Sequence, residues 1–492
     1  MLLKELHELV PGIILAGDPE TQVLGITYDS RQVKAGDLFV ALRGEKTDGA
    51  LYLREAISRG AVALASDHPL APDGMLPLLQ VEDARRFLAE ASRAIFGNPA
   101  AHLRLVAITG TNGKTTTSCL VDAIFRRAGL KSCLSGTLGM KIGDRPFPSA
   151  HTTPEASDLT AFLRHALDSS CTHGALEVSS HALALKRVFG TRFTVGVFSN
   201  LTPEHLDFHG DMESYYQAKR LLFTSGGGNS LDASVVNIDD PCGQRLAAEA
   251  AGTVLSYGFN DKAELRVLDS RTRIDGTDLR LATPRGELIV ASHLVGLPNV
   301  YNMMAAAGAA FSLGIEPRFI REGIESLTGV AGRLERVRND GGYNVIVDYA
   351  HTPDALQKLL ETVRQLTSGR LLTVFGCGGD RDRKKRPVMG AIAARLSDYA
   401  IATSDNPRSE DPARILAEIE PGLAQGPAPY RLLPDRREAI RAALALARPG
   451  DVVIIAGKGH EDYQIIGSRV LPFDDRVIAQ DLIQELQHLR GD

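Results

Sequence analysis

The sequence predicts an α/β protein built from three domains, and three observations carry that reading. Short apolar runs alternate with segments of helical period along most of the chain, the pattern of mostly parallel sheets covered by helices. One apolar run, LRLVAIT (103–109), leads directly into the glycine-rich stretch GTNGKTT and a helical pattern. A fresh series of apolar runs, each ending in Gly, Asp or His, then begins after about residue 332. At 492 residues the chain exceeds one ordinary core, so several domains are expected.

The composition is that of a globular protein, with 44% hydrophobic and 23% charged residues. The net charge of −5 supplies no basic field for a nucleic-acid backbone, so anionic ligands must be held by local sites. The five cysteines, Cys119, Cys133, Cys171, Cys242 and Cys377, are scattered, odd in number and free of C-x-x-C pairs, which reads as free thiols in a reducing compartment. The stretch MLLKELHELVPGIIL contains Lys4, Glu5, His7 and Glu8, unlike a signal sequence, and its leucines fall at helical spacing. No run reaches the ~20 apolar residues that span a bilayer. The expectation is a soluble cytoplasmic monomer that binds neither membrane nor nucleic acid.

In the first block, residues 1–100, VLGITYDS and GDLFVALRG read as strands, LYLREAISRG as a helix and AVALAS as a strand. The polar stretch GNPAAHL marks its end. The second block, 101–332, carries LRLVAIT and then the strands of GALEVSS, TVGVFSNL and ASVVNID, implying a mostly parallel sheet. The third, 333–492, carries YNVIVDYA, LLTVFGCGG, DYAIATSDN and DVVIIAGKG as strands, with TPDALQKLLETVRQL and DRREAIRAALALA as helices. Ligands of open α/β sheets bind outside the carboxyl ends of strands, so the polar ends of these four runs mark a candidate site.

Gly110-Thr111-Asn112-Gly113-Lys114-Thr115-Thr116 joins a strand to a helix and reads as a phosphate loop. Glycines let backbone N–H groups face an anion, and the helix N-terminus adds its positive dipole end. Lys114 supplies a charge for the β/γ-phosphates, and Thr115 a hydroxyl for Mg²⁺. The spacing is G-x-x-G-K-T rather than the longer G-x-x-x-x-G-K-T form. Such a loop does not by itself separate a kinase, an ATPase, a GTPase and a ligase. Glu177, at the end of GALEV, suits a Mg²⁺ role beside phosphates. His205, Asp207 and His209 cluster after another strand, with no cysteine near enough to favour zinc. Spacing alone makes Lys219 a surface lysine of a helix that also carries Tyr215, Tyr216 and Leu222.

Taken in order, GTNGKTT, HTTPE, EVSSHAL, NLTPEHLDFHG with YYQAKRLLF, LPNVYNMMAA, GRLERV, VDYAHTPDAL, GCGGDRDRKKRP, DNPR and GKGHE cover essentially the whole chain. In these motifs the chain closely resembles the Mur ligase family. The resemblance implies an N-terminal uridine-nucleotide domain (1–100), a central P-loop ATPase domain (101–332) and a C-terminal Rossmann-like domain that brings the incoming amino acid (333–492). It implies amide-bond formation through an acyl-phosphate in peptidoglycan synthesis. ATP is then the co-substrate, Mg²⁺ the cofactor, and UDP-N-acetylmuramoyl-L-alanyl-D-glutamate the acceptor. By resemblance Glu177 and His205 join Thr115 in binding Mg²⁺, and Lys219 is carbamylated, a reaction with CO₂ that needs the neutral amine. Asn299 and Asn302 are placed near adenine, and Arg333 and Asp348 near ribose. Tyr28, Ser30, Glu45, Lys46, Thr47, Thr152, Thr153, Ser179 and Arg187 match positions that hold the uridine precursor. Leu185 stands where some relatives have a glutamine that touches this substrate, so it is left out of that set.

The same resemblance narrows the amino acid to meso-diaminopimelate or L-lysine, which differ by one distal carboxylate. Arg408, in Asp405-Asn406-Pro407-Arg408, can clamp that group bidentately, whereas lysine would leave the guanidinium unpaired. In the family DNPR accompanies diaminopimelate, and Arg381, Gly457 and Glu461 complete the matched set. Read without the resemblance, DNPR is a turn with a solvated Arg. The competing readings are a lysine-adding ligase, which Arg408 disfavours, a folylpolyglutamate synthetase, and a P-loop protein that senses ATP without chemistry.

Overall fold

The run LRLVAIT forms the strand Arg104–Thr109 at the centre of a parallel sheet, where apolar side chains on both faces are covered. In spatial order the neighbouring strands are Thr253–Gly258, Ser230–Asn237, Arg192–Phe198, Arg104–Thr109, His173–Glu177 and Ser132–Gly136, all parallel. The hairpin strands Gly139–Ile142 and Arg145–Phe147 continue it antiparallel. The computed structural model describes residues 1–44, 47–69, 76–149 and 151–491. The helix Lys114–Arg127 follows the central strand and buries Leu120, Val121, Ile124 and Phe125.

The N-terminal sheet has the order Ile14–Ala16, Leu78–Gln80, Ala63–Ser66, Asp37–Val40, Gly25–Thr27, with only the Ile14–Ala16 edge antiparallel. The expected amphipathic helix is Leu3–Leu9, which buries Leu3 and Leu6. LYLREAISRG begins as a 3₁₀ turn, Gly49–Tyr52, and is α-helical only over Leu53–Ser58. This sheet and the P-loop sheet belong to one compact unit, Met1–Val267 with Ala282–Leu288 and Tyr301–Ile324. Ala156 enters the N-terminal core, Arg93 Nη1 donates to Gly190 O at 2.6 Å, and Lys186 pairs with Asp83.

The second unit comprises Leu268–Leu281, Ile289–Val300 and Glu325–Asp492. Its six-stranded sheet runs Glu335–Val337, Asn344–Asp348, Val452–Ala456, Leu371–Cys377, Tyr399–Ser404, Tyr430–Leu433, and is parallel except at the first edge. These three parallel-rich sheets, beside a small antiparallel pair Tyr463–Ile466 and Arg469–Pro472, agree with the expected α/β fold class. Among the described residues, no helix is long and apolar enough to cross a membrane.

Arg436 and Asp475 form a fully buried bidentate pair in this unit, at 2.8 and 2.6 Å. Arg436 also donates to Ser404 O at 3.3 Å and Ala456 O at 3.0 Å, so one guanidinium ties two strand ends to the C-terminal helix Asp475–Gly491. Removing one member leaves the other charge buried and unpaired. Arg436→Ala is therefore expected to destabilise the second unit by about 3–5 kcal/mol. Urea denaturation followed by circular dichroism measures this, and an unchanged midpoint would refute it.

Candidate active site

The loop after Arg104–Thr109 is shaped by glycine and braced by its neighbours. Gly113, the residue before the helix, has φ 92, and a Cβ there would lie 2.3 Å from Asn302 Oδ1. Asn302, buried on the helix Leu297–Ser312, also accepts from Thr117 Oγ1 at 3.4 Å. Asn112 N donates to Asn200 Oδ1 at 2.9 Å, Ser199 Oγ to Asn112 O at 2.6 Å, and Thr111 Oγ1 to Thr202 O at 3.2 Å. Lys114 Nζ folds back onto the Gly110 and Thr111 carbonyls, both at 2.8 Å. Thr115 and Thr116 are buried in the first helical turn.

Glu177 ends the adjacent strand and is almost fully buried. Its carboxylate accepts from Thr115 Oγ1 at 3.0 Å, Thr137 N at 2.9 Å and Thr137 Oγ1 at 3.0 Å. A carboxylate and a hydroxyl thus share one edge of the phosphate loop, a donor set that fits a hard cation whose other ligands are phosphates and waters. Among the described residues no three His, Cys, Asp or Glu side chains converge into a metal-holding group. His205 makes no hydrogen bond or ion pair with Thr115 or Glu177; it packs against His181, with ring centroids 4.7 Å apart. His181 also meets Phe208 and His209, whose Nε2 lies 2.9 Å from Ser180 Oγ. Burial, then the neighbouring His205, His209 and Arg187, pushes His181 down to about 4, and burial also lowers His205 and His209.

Lys219 is a correction to the surface position that spacing suggested. It lies on the helix Met212–Arg220, is only 1% exposed, and donates from Nζ to Gly110 O at 2.9 Å. Burial, reinforced by the Lys114 charge, holds its pKa well below the usual lysine value. The Nζ also lies 4.6 Å from the Tyr215 ring centroid, and the Tyr215 hydroxyl is 3.2 Å from Thr111 Oγ1.

The described residues matched to precursor binding lie in the same unit. Thr152 Oγ1 is 3.2 Å from Thr137 Oγ1, and Thr153 Oγ1 donates to Glu177 O at 2.9 Å. Ser179 N donates to Thr153 Oγ1 at 3.1 Å. Arg187 donates to Thr153 O at 3.0 Å and pairs with Glu155 at 2.9 Å. Leu185 is the residue after the short helix Ser180–Ala184. Farther along the chain's start, Tyr28 OH donates to Asp158 Oδ2 at 3.4 Å, Ser30 Oγ to Glu55 Oε2 at 2.7 Å, and Thr47 Oγ1 lies 3.2 Å from Tyr52 OH. Glu45 and Lys46 lie outside the described residues.

In the second unit Asp348, Arg381, Asp405–Arg408, Gly457 and Glu461 end or follow parallel strands, whereas Arg333 precedes the antiparallel edge strand and Asn299 lies on the helix Leu297–Ser312. Asp348 is buried, which raises its pKa against the opposing effect of Arg333, and it accepts from Leu334 N at 2.7 Å and Ala350 N at 2.8 Å. The Arg333 guanidinium lies 4.9 Å from the centroid of the Tyr349 ring. Asn299 Nδ2 donates to Val295 O at 2.8 Å. Asn406 Nδ2 donates to Glu461 Oε2 at 2.8 Å, and its Oδ1 accepts from Ile465 N at 3.0 Å. Gly457 leaves room for Asp405, whose Oδ2 would lie 2.6 Å from an added Cβ. Arg408 Nη1 donates to Gly379 O at 2.7 Å across from Pro407, while Arg381 is exposed in the loop before it.

Sequence reasoning missed Thr137, Gly136 and Lys458. Lys458 is fully buried and donates to Glu461 Oε2 at 3.1 Å and Asn406 Oδ1 at 3.3 Å. A lysine inside GKGHE carried a signal that could have been read. Thr137 carried none, because its partner Glu177 is 40 positions away.

Fold and site together define a P-loop nucleotide-binding enzyme with a second α/β module, in which one loop carries both Arg408 and the Asn406 of a carboxylate–lysine–amide network. The chain belongs to the Mur ligase family. It matches the Mur ligase middle domain over residues 108–310, the Mur ligase glutamate ligase domain over 332–459 and the Mur ligase catalytic domain over 22–95. It is 46% identical to the UDP-N-acetylmuramoyl-L-alanyl-D-glutamate–2,6-diaminopimelate ligase of Geobacter metallireducens, over 99% of both chains. It is 43% identical to the ligase of the same name from Geobacillus thermodenitrificans, over 99% of this chain and all of that one. A solved structure of a ligase with that name aligns with TM-score 0.71 at 34% identity, covering 99% of each chain. The MurF ligase of Thermotoga maritima in complex with ADP shares the fold, with TM-score 0.65 at 18% identity, over 96% of this chain and 98% of that one.

An alanine methyl at Gly136 would lie 2.1 Å from Glu177 Oε1 and 2.7 Å from its Cδ. Gly136→Ala must displace this carboxylate, and a shift near 1 Å in such a group costs about 10²-fold in rate. ATP-dependent turnover is expected to fall by about that factor. Retention of full turnover would show that the carboxylate position is not needed.

Proposed function

We propose that this chain is an ATP-dependent amide ligase that adds meso-2,6-diaminopimelate to UDP-N-acetylmuramoyl-L-alanyl-D-glutamate in peptidoglycan synthesis. The observation that carries the reading is the pairing of two sites in one chain. One is the phosphate loop with Glu177 against Thr115; the other is the 405–408 loop, where Arg408 Nη1 donates to Gly379 O and Asn406 bonds to Glu461 and Lys458. The near full-length similarity to ligases of that name supports it. The reading assigns residues 1–100 to the uridine nucleotide, 101–332 to ATP and 333–492 to the amino acid, and places the enzyme in the cytoplasm as a monomer.

In this reading ATP lies on Gly110–Thr116, with Asn299 and Asn302 toward adenine and Arg333 and Asp348 toward ribose. Tyr28, Ser30, Glu45, Lys46, Thr47, Thr152, Thr153, Ser179 and Arg187 hold the precursor. Thr115, Glu177 and His205 would hold Mg²⁺, which neutralises phosphate charge when bound. The D-glutamyl carboxylate attacks the γ-phosphorus, ADP leaves, and an acyl-phosphate forms. Phosphoryl transfer asks the protein for position and charge rather than covalent help. Lys114 supplies that charge. The amine of diaminopimelate then attacks the acyl carbon and phosphate is expelled. Asp405, Asn406, Pro407, Arg408, Arg381, Gly457 and Glu461 bind that amino acid, with Arg408 on its distal carboxylate. Carbamylation of Lys219 is supported by its burial and its lowered pKa, because the neutral amine is the form that reacts with CO₂.

The test is phosphate release, which should require ATP, the uridine precursor and diaminopimelate together. Lys114→Ala should abolish it while the circular dichroism spectrum stays unchanged. ATP hydrolysis without the other two substrates would favour an ATP-sensing protein. Arg408→Ala should reduce the preference for diaminopimelate over L-lysine by about 10²-fold or more, since a site built to pair a polar group rejects analogues lacking it. An unchanged preference would exclude Arg408 as the clamp.

A further inference from the structure

The loops that carry Arg381 and Arg408 are cross-linked by side chains that the reading above does not use. Residues 378–383 follow the strand Leu371–Cys377, and residues 405–410 follow its neighbour Tyr399–Ser404. Asp380 and Arg408 both adopt left-handed backbone, φ 53 and φ 52, which is disfavoured for residues with a Cβ and persists only where the surroundings enforce it. The enforcement is visible. Asp380 accepts from Ser409 N at 3.2 Å and from Ser409 Oγ at 2.7 Å. Its own N–H donates to Glu410 Oε1 at 2.6 Å.

Glu410 is in turn gripped by Arg386, whose side chain is fully buried. Nη1 reaches Glu410 Oε2 at 2.9 Å and Nη2 reaches Oε1 at 2.8 Å. Arg386 also donates to Glu418 at 2.7 Å and to Gly378 O at 3.3 Å, so a single guanidinium anchors both loops. The Arg408 backbone is pinned from the other side, its N–H donating to Ile465 O at 3.0 Å and its carbonyl accepting from Gly467 N at 2.7 Å.

The result is a guanidinium laid along the glycine loop and held by one side-chain bond, Nη1 to Gly379 O. Among the described residues its other N–H groups have no protein partner, so an edge of the fork stays available for a carboxylate. No acidic side chain pairs with it in the described residues, because Asp380 is engaged by Ser409 and Glu410 by Arg386. The same cross-links therefore shape the loop and keep two nearby carboxylates from occupying the arginine.

We propose that Asp380, Ser409 and Glu410, backed by Arg386, are positioning residues that hold Arg408 in the placement that selects diaminopimelate over lysine. The proposal rests on the reading of the amino-acid site given above. It is distinct from a purely structural role, which would lower stability and slow turnover with either amine alike.

The experiment measures phosphate release by the full chain with ATP and the uridine precursor saturating, and with diaminopimelate or L-lysine varied. Asp380→Ala and Ser409→Ala change exposed side chains, so a folded protein is expected, and thermal unfolding checks it. Each should raise KM for diaminopimelate by about tenfold or more while kcat and the KM for ATP stay within about twofold. The kcat/KM preference over lysine should fall by a similar factor, and Ser409→Thr, which keeps the hydroxyl, should restore it. Glu410→Gln should act in the same direction. The proposal is overturned if both alanine variants keep the unaltered preference. It is equally overturned if the two amines and ATP lose affinity together with a lowered unfolding midpoint. If the unaltered chain itself shows no preference for diaminopimelate, the reading of the amino-acid site fails first and the proposal with it.

Discussion

The carbonyl oxygen of Gly110 accepts hydrogen bonds from two lysines, Lys114 at 2.8 Å and Lys219 at 2.9 Å, and the P-loop unit is organised around that meeting. Two ammonium groups on one acceptor repel, and Lys219 is the one shut away from water. Burial and the Lys114 charge therefore both act on it in the same direction, toward the neutral amine. Lys114 is only half-buried, so one contact point holds two chemically identical side chains in unequal exposure to water.

The same economy appears where the sheets end. In the P-loop unit Glu177 closes a central strand and is fixed by the Thr137 peptide N–H and two hydroxyls. In the second unit Asp348 closes the strand next to the sheet edge and is fixed by the Leu334 and Ala350 peptide N–H groups. Each carboxylate is held by peptide N–H donors in the turns that flank the strands. Parallel sheets gather such ends along one edge, which is why both units keep their polar side chains there. The glycines beside these groups act by absence: Gly136 clears space for Glu177 and Gly113 for Asn302.

The arginines of the second unit divide in a comparable way. Arg436 and Arg386 are fully buried with carboxylates and carbonyls around them, and they hold strand ends and loops together. Arg381 is exposed, and among the described residues Arg408 is held by a single side-chain bond. Arg436 has all three guanidinium nitrogens bonded and Arg386 has both Nη atoms engaged, whereas Arg408 uses one Nη.

Much of this was legible in the sequence because it is local. The strand–loop–helix at 103–127 is written in consecutive residues, and so are the strands whose polar ends line the second sheet. Glycine spacing and apolar runs act over a few positions, and they sufficed for the α/β class and for Lys114 and Glu177 as candidates, whereas Arg408 was a candidate only through the family resemblance. Lys219 shows where that reach stops. Helical spacing made it a surface lysine; its burial depends on Gly110, 109 positions earlier. Thr137 beside Glu177, and Asp380 beside Ser409, were likewise invisible, because hydrogen bonds between distant segments leave no periodic trace. Chain order determines which residues form each element, whereas desolvation and charge pairing depend on what else is brought near, and only the folded arrangement of sheets decides that.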